Sequence, residues 1–198
     1  MRIACALFLV CAVAGCTSRG SEAAERQADS ARRDSIAAVA AASMNEPQVM
    51  GLLEHIHAAD SALGALGAAR GSTTDLKEFG RMILREHRAL RVESGAVARN
   101  QGVTPAPPTV PPDSPPPAIG ERLTAGASSA AWDQSYLDYA IAMHESTMEN
   151  LARALAATKS DSTKKLIRRS VPIIQKHLDK AKSLRRMLQQ PDTNARAR

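Results

Sequence analysis

Apolar residues recur at spacings of three and four along four separate stretches of the chain, which is the period of an amphipathic helix. In the first stretch Val49, Leu53, Ile56, Asp60, Leu63 and Gly67 share one face. The second face carries Leu76, Phe79, Ile83, His87, Leu90, Ser94 and Val97. Leu137, Ile141, His144, Met148, Leu151 and Leu155 form the third, and Leu166, Ser170, Ile173, His177, Ala181, Leu184 and Leu188 the fourth. Boundary residues agree with these periods. Asn45-Glu46-Pro47-Gln48 reads as an N-cap with Gln three residues on, and Gly71 closes that helix. A second helix opens at Asp75, with Glu78 three residues later, and ends near Gly102. The third runs from around Ser129 to about Thr158, and the fourth from Ser160-Asp161 to near Gln190. The expected fold is all-α.

The connections decide the topology. Two of them are short and make antiparallel neighbours. Between the second and third helices lies Val103–Ala118, with eight prolines in sixteen residues, which reads as exposed polyproline II. At about 3.1 Å per residue it reaches roughly 50 Å, and a 27-residue helix is roughly 40 Å long. Two hairpins joined by one crossover of bundle length is the ferritin-like four-helix arrangement. Two independent hairpins on a flexible linker are the rival, but each would leave its apolar face wet. The domain is therefore expected over residues 46–190, with a short tail after it.

Each apolar seam is interrupted once near its middle by an ionisable residue: Asp60, His87, His144 and His177. Counted from the first turn, Asp60 lies about 11 residues back and His87 about 16 forward, a stagger near 7 Å along the axis. His144 and His177 lie about 15 and 18 residues from the second turn, so all four fall in one mid-bundle layer. A lone buried carboxylate is costly and neutral histidines also want partners. The four can satisfy one another as a polar layer, or act as ligands of one Zn, Fe, Mn or Cu ion. His55 and His57 flank the seam and are expected at the surface or rim; Glu86 and Glu145 point about 100° from the neighbouring histidines and read as solvated charges. Pro172, five residues before His177, is expected to free the Arg168 carbonyl and kink the last helix.

Composition adds place more than chemistry. The 198 residues are 44% hydrophobic but only 3% aromatic, which suits close-packed helices and argues against a sandwich or barrel. The sequence begins MRIACALFLVCAVAGC, a basic residue and a twelve-residue apolar run too short to span a bilayer. Val13-Ala14-Gly15-Cys16 resembles a bacterial lipobox. That resemblance implies cleavage after residue 15 and lipidation of Cys16, with Thr17 behind it pointing to the outer membrane. Cys5 and Cys11 would leave with the signal, so no free thiol remains for a disulfide or thiolate site. Residues Thr17–Met44 are rich in Ala, Ser, Arg and Glu and read as a tether. The formal charge is +6, and the fourth helix carries Lys164, Lys165, Arg168, Arg169, Lys176, Lys180, Lys182, Arg185 and Arg186 against Asp161 and Asp179. Such a face suits anionic lipid headgroups or envelope polymers; an exported lipoprotein would not meet nucleic acid.

Several of these residues together carry a family resemblance. Phe79-Gly80 with His87, Asp133 and Tyr136 before His144, and Val171-Pro172 before His177-Leu178 resemble the motifs of the bacterial domain-of-unknown-function family 4142. Asp60 stands where that family commonly carries Glu. The similarity covers roughly Gln48 to Met187 and implies an exported ferritin-like four-helix domain, often described as an outer-membrane protein, with no settled activity. Ferritin chemistry is not expected here. Di-iron bundles use Glu-x-x-His pairs, whereas Leu84, Ile141 and Ile174 precede these histidines by three. The sequence also lacks a phosphate loop, H-E-x-x-H and G-x-S-x-G. Two functions stay open: an envelope protein with one metal ion at Asp60, His87, His144 and His177, or a non-catalytic envelope adaptor whose polar layer only sets helix register.

Overall fold

The computed structural model describes residues 44–107, 123 and 125–189. The expected lipidation site Cys16, the signal segment, the tether through residue 43, most of the proline run and the tail lie outside the described residues. All described residues belong to one compact unit, Val39–Arg198. Four helices and no strand are found among them: α1 (Glu46–Arg70), α2 (Thr74–Asn100), α3 (Ala130–Ala157) and α4 (Asp161–Gln189). No helix among the described residues is long and apolar enough to cross a membrane.

Local chemistry starts each helix. Asn45 Oδ1 accepts from the Gln48 amide at 3.1 Å and Gln48 Oε1 accepts from the Asn45 amide at 2.9 Å, completing the capping box. Met44, at the end of the expected tether, is already buried and joins the cluster of Val49, the placement of a hydrophobic staple. Helix α2 begins one residue before the expected Asp75, because Thr73 caps it through the Leu76 amide. Ser129 caps α3 through the Trp132 amide. Helix α4 runs from Asp161 to Gln189 with Pro172 inside it.

Side-chain partners place the helices. Glu46 of α1 accepts from Thr158 and Thr163, while Gln101, just past α2, donates to Thr163. At the opposite end, Ser72 in the α1–α2 turn donates to Asp133 near the start of α3. Helix α1 is therefore antiparallel to α2 and α3, and α4 to α2 and α3. The end of α2 and the start of α3 stand at opposite ends of the bundle. The segment after α2 is not wholly exposed, as its sequence suggests. Val103 packs on the core and Ala106 donates its amide to Pro47 O at 2.9 Å, laying the first residues of the crossover along α1. Gly51 makes this possible, since a Cβ there would strike the Ala106 carbonyl.

Two apolar clusters fill the interior. One holds Val49, Leu53, Leu151, Leu166 and Ile174, and the other Leu63, Phe79, Ile83, Trp132 and Tyr136. Between them lie the ionisable residues of the seams. The fourth seam keeps its expected register at Leu166, Ser170, His177, Ala181 and Leu184, but Ile174 is fully buried in place of Ile173, which is only partly buried, and Leu188 is exposed. In α3 the buried face runs through Ala140, His144, Thr147, Leu151 and Ala154, leaving Ile141, Met148 and Leu155 at its margin.

Candidate metal centre

Helix α1 brings His57 and Asp60 into the middle of the bundle, α2 His87, α3 His144 and α4 His177, and all five side chains are buried. Nitrogens of His87, His144 and His177, one from each ring, lie within 4.8 Å of one another. The His87 Nε2–His177 Nδ1 distance is 3.3 Å. Nitrogens bound to a common zinc at about 2.0–2.1 Å stand roughly 3.3 Å apart in a tetrahedral site.

The partners fix where each proton sits. His144 Nδ1 is 2.7 Å from the Ala140 carbonyl, which only accepts, so the proton is on Nδ1 and Nε2 carries a lone pair. That Nε2 is buried and has no hydrogen-bond partner. His177 Nε2 is 2.9 Å from Glu86 Oε2 and donates to it, which leaves Nδ1 bare and facing His87. Within the layer His87 Nε2 then donates to His177, and His57 Nδ1 donates to His87 Nδ1 at 3.3 Å. His57 Nε2 ends this chain without a partner. Asp60 Oδ2 lies 3.4 Å from His87 Nδ1 and accepts from Thr147 at 3.3 Å, while Asp60 Oδ1 has no partner.

The electrostatics favour neutral rings at His57, His87 and His177. Burial depresses the pKa of His57 to about 4. His177 also falls to about 4, through burial and His144, although Glu86 pulls the other way. Burial and the three neighbouring histidines depress His87 further. Asp60 is pushed up to about 6 by burial, against the opposing pull of His144 and Thr147. Burial raises the Glu86 carboxyl as well, but hydrogen bonds from Lys176 and His177 outweigh it and hold the group below its usual range.

Two expectations are overturned here. His57 is not a surface or rim residue: it is 0% exposed and packs against His87, with ring centroids 5.4 Å apart and the rings tilted by 55°. Its signal was in the sequence, because Met50, Leu53, His57 and Gly64 continue the spacing of three and four beside the main seam and widen the buried face of α1. Glu86 is not a solvated charge either. It bonds both His177 and Lys176, two consecutive residues of α4, and only 20% of its side chain is exposed. Helix α2 alone gives no sign of this, since both partners lie on another helix. Glu145 is half exposed and pairs with Lys182 at 2.7 Å, and His55 is exposed.

The basic face of α4 is also less naked than its composition suggests. Lys164 pairs with Asp161, Arg169 with Glu93, Lys176 with Glu86, Lys182 with Glu145 and Arg185 with Asp138.

The profile of a family described as a domain of unknown function, DUF4142, matches residues 31–184. The chain belongs to this family. No curated protein and no solved structure matches the chain. The motif residues divide by role in the structure. Asp133 accepts from the Ser72 amide at 2.9 Å and its hydroxyl at 2.6 Å, tying the α1–α2 turn to α3. Tyr136 donates to the Leu63 carbonyl at 3.1 Å. Gly80 and Gly64 let α1 and α2 touch, since a Cβ on either would meet backbone of the other helix. Of the motif residues, the three histidines and Asp60 meet in the central layer.

Proposed function

We propose that the bundle binds one transition-metal ion through His87 Nε2, His144 Nε2 and His177 Nδ1. The observation that carries this reading is His144 Nε2: a bare, buried, unpartnered lone pair beside two further imidazoles. A layer serving only helix register gains nothing from leaving such an atom unsatisfied, which costs about 1–3 kcal/mol. All three rings also have an acceptor for their outer N–H, the usual support for metal-binding histidine. Ala140 O serves His144 and Glu86 serves His177. Asp60 serves His87 once the His87 proton moves from Nε2 to Nδ1 and the His57 proton moves from Nδ1 to Nε2, so that His57 Nδ1 no longer donates to His87. Asp60 then acts as the outer partner of a ligand.

Charge is largely offset in this arrangement, with Glu86 shared by Lys176. A divalent ion would meet three neutral imidazoles and the two carboxylates of Asp60 and Glu86. An all-imidazole donor set suits zinc, copper or iron better than the oxygen-preferring manganese. The fourth position of a three-histidine site is open to water or a small ligand.

We place the domain at the cell envelope, held by a lipid on Cys16, on the strength of the Val13-Ala14-Gly15-Cys16 segment behind its apolar run. Metal content per mole, measured on protein purified without an affinity tag, tests the first reading. About one zinc or copper ion per chain is expected, and the absence of any tight ion, together with failure to take one up from solution, returns the layer to a purely structural role. Cys16→Ser is expected to release the protein from membranes. A mature chain whose intact mass shows another N-terminus and no acyl groups defeats the anchor.

A further inference from the structure

The histidine cluster is sealed on almost every side. His57, Asp60, His87, His144 and His177 are all 0% exposed, and Thr147, beside Asp60, is 4% exposed. Above and below lie the two apolar clusters. Among the described residues that hydrogen-bond the cluster, Glu86 is the one whose side chain clearly reaches water, at 20% exposure. It lines a groove of about 290 Å³ between α2 and α4, together with Leu90, Glu93, Arg169 and Ile173. One oxygen of its carboxylate touches a candidate ligand, His177 Nε2, at 2.9 Å. Lys176 closes the outer side, with Nζ 2.8 and 2.6 Å from the two Glu86 oxygens. Arg85 stands farther out, 3.5 Å from the same carboxylate. The second acid of the groove, Glu93, is likewise held by a base from α4, Arg169.

We infer that the cation reaches the three histidines at the Glu86 end of this groove, and that Lys176, bonded to both oxygens of that carboxylate, is the bar at this point. The inference rests on the metal reading above and adds the route and its control. A cation arriving from water must exchange its hydration for donors on the way in. Glu86 is the only described carboxylate that offers oxygens both to the groove and to the ligand shell. The same oxygens are occupied by the Lys176 ammonium, so a metal ion gains them only as that flexible side chain swings out. Lys176 is 52% exposed, and among the described residues its ammonium bonds only Glu86. Opposite charge focused at a narrow opening raises arrival rates, and a fixed like charge lowers them. Uptake should therefore be governed by Glu86 and Lys176 without either residue being a ligand.

The test mixes metal-free full-length protein rapidly with cobalt(II) and follows the visible absorption of the bound ion. Lys176→Ala is expected to load about tenfold faster than the unmodified chain, with the same final spectrum. Lys180→Ala removes the same charge one turn along α4, from an exposed residue, and is expected to load at the unmodified rate. Glu86→Gln is expected to load at least about tenfold slower, and to lower final affinity about 10–100-fold because His177 loses its orienting carboxylate. Lys176→Ala loading at the unmodified rate overturns the inference, as does equal acceleration by Lys180→Ala. An unmodified chain that never acquires a cobalt spectrum overturns the metal reading itself, and the route with it. Loading of the unmodified chain with no response to Lys176 or Glu86 removes the route alone.

Discussion

Two polar regions of this bundle are equally buried and differently built. At the end where α1 turns into α2, every buried side chain has its partner. Asp133 takes two bonds from Ser72, Tyr136 reaches Leu63 O, and Trp132 Nε1 donates to Leu123 O at 3.0 Å. Arg70 lies over the Trp132 ring and Trp132 stacks on Tyr136. In the middle of the bundle, His57 Nε2, Asp60 Oδ1 and His144 Nε2 are left without partners. Buried polar atoms are nearly always paired in folded proteins. A satisfied network, like that at Asp133, is how a structural role looks. An unsatisfied one, with nitrogens of three histidines within 4.8 Å of one another, is a group that could hold a metal ion.

His144→Ala attacks the contrast most directly. It should remove most of the bound zinc, a loss of at least about 100-fold in affinity, measured by competition with a chelating dye. Asp133→Ala should leave zinc affinity within about twofold while lowering stability by about 2 kcal/mol in urea unfolding, because the Ser72 donors lose their acceptor. If Asp133→Ala costs zinc as His144→Ala does, the two regions are not separate in kind.

Acid should find the central layer first. Unfolded, a histidine takes up its proton near 6.5, whereas folded His57 and His177 do so only near 4. Between these values the unfolded chain binds more protons, so stability falls as pH drops from about 6.5 towards 4. Asp60 works the other way, holding its proton to about 6 when folded against 3.8 unfolded. One aspartate against three depressed histidines leaves a net loss. Urea midpoints of the metal-free protein should decline across this window, and saturating zinc should delay the decline by holding the rings neutral.

Smaller changes sharpen the outline. Gly51→Ala should cost about 1–3 kcal/mol, since its Cβ must displace the Ala106 carbonyl and the crossover behind it. Increased protease cutting near residues 103–107 would report that release. His55→Ala, two residues from His57 but exposed, should change neither stability nor zinc by a measurable amount. An effect there as large as that of His144 would mean that burial does not separate the two kinds of histidine.

Periodicity and caps sufficed for the helices. Asn45 with Gln48, Ser129 and Gly71 mark boundaries through local hydrogen bonds that need no distant partner. The same periodicity put Asp60, His87, His144 and His177 at one depth, because axial position follows from counting residues at a fixed rise. Counting could not say which way a side chain beside the seam turns, because that depends on the helix packed against it. His57 is enclosed because Gly64 and Gly80 draw α1 and α2 into backbone contact, widening the face that α1 buries. Glu86 is tied to the cluster because α4 presents Lys176 and His177 to it across the groove. Sequence alone therefore determined the four helices, their order and the level of the central layer, all of which rest on local spacing. Which nitrogens are bare, which carboxylate orients which ring and where the layer meets water were decided only by the tertiary packing, since each depends on groups from different helices meeting at hydrogen-bond distance.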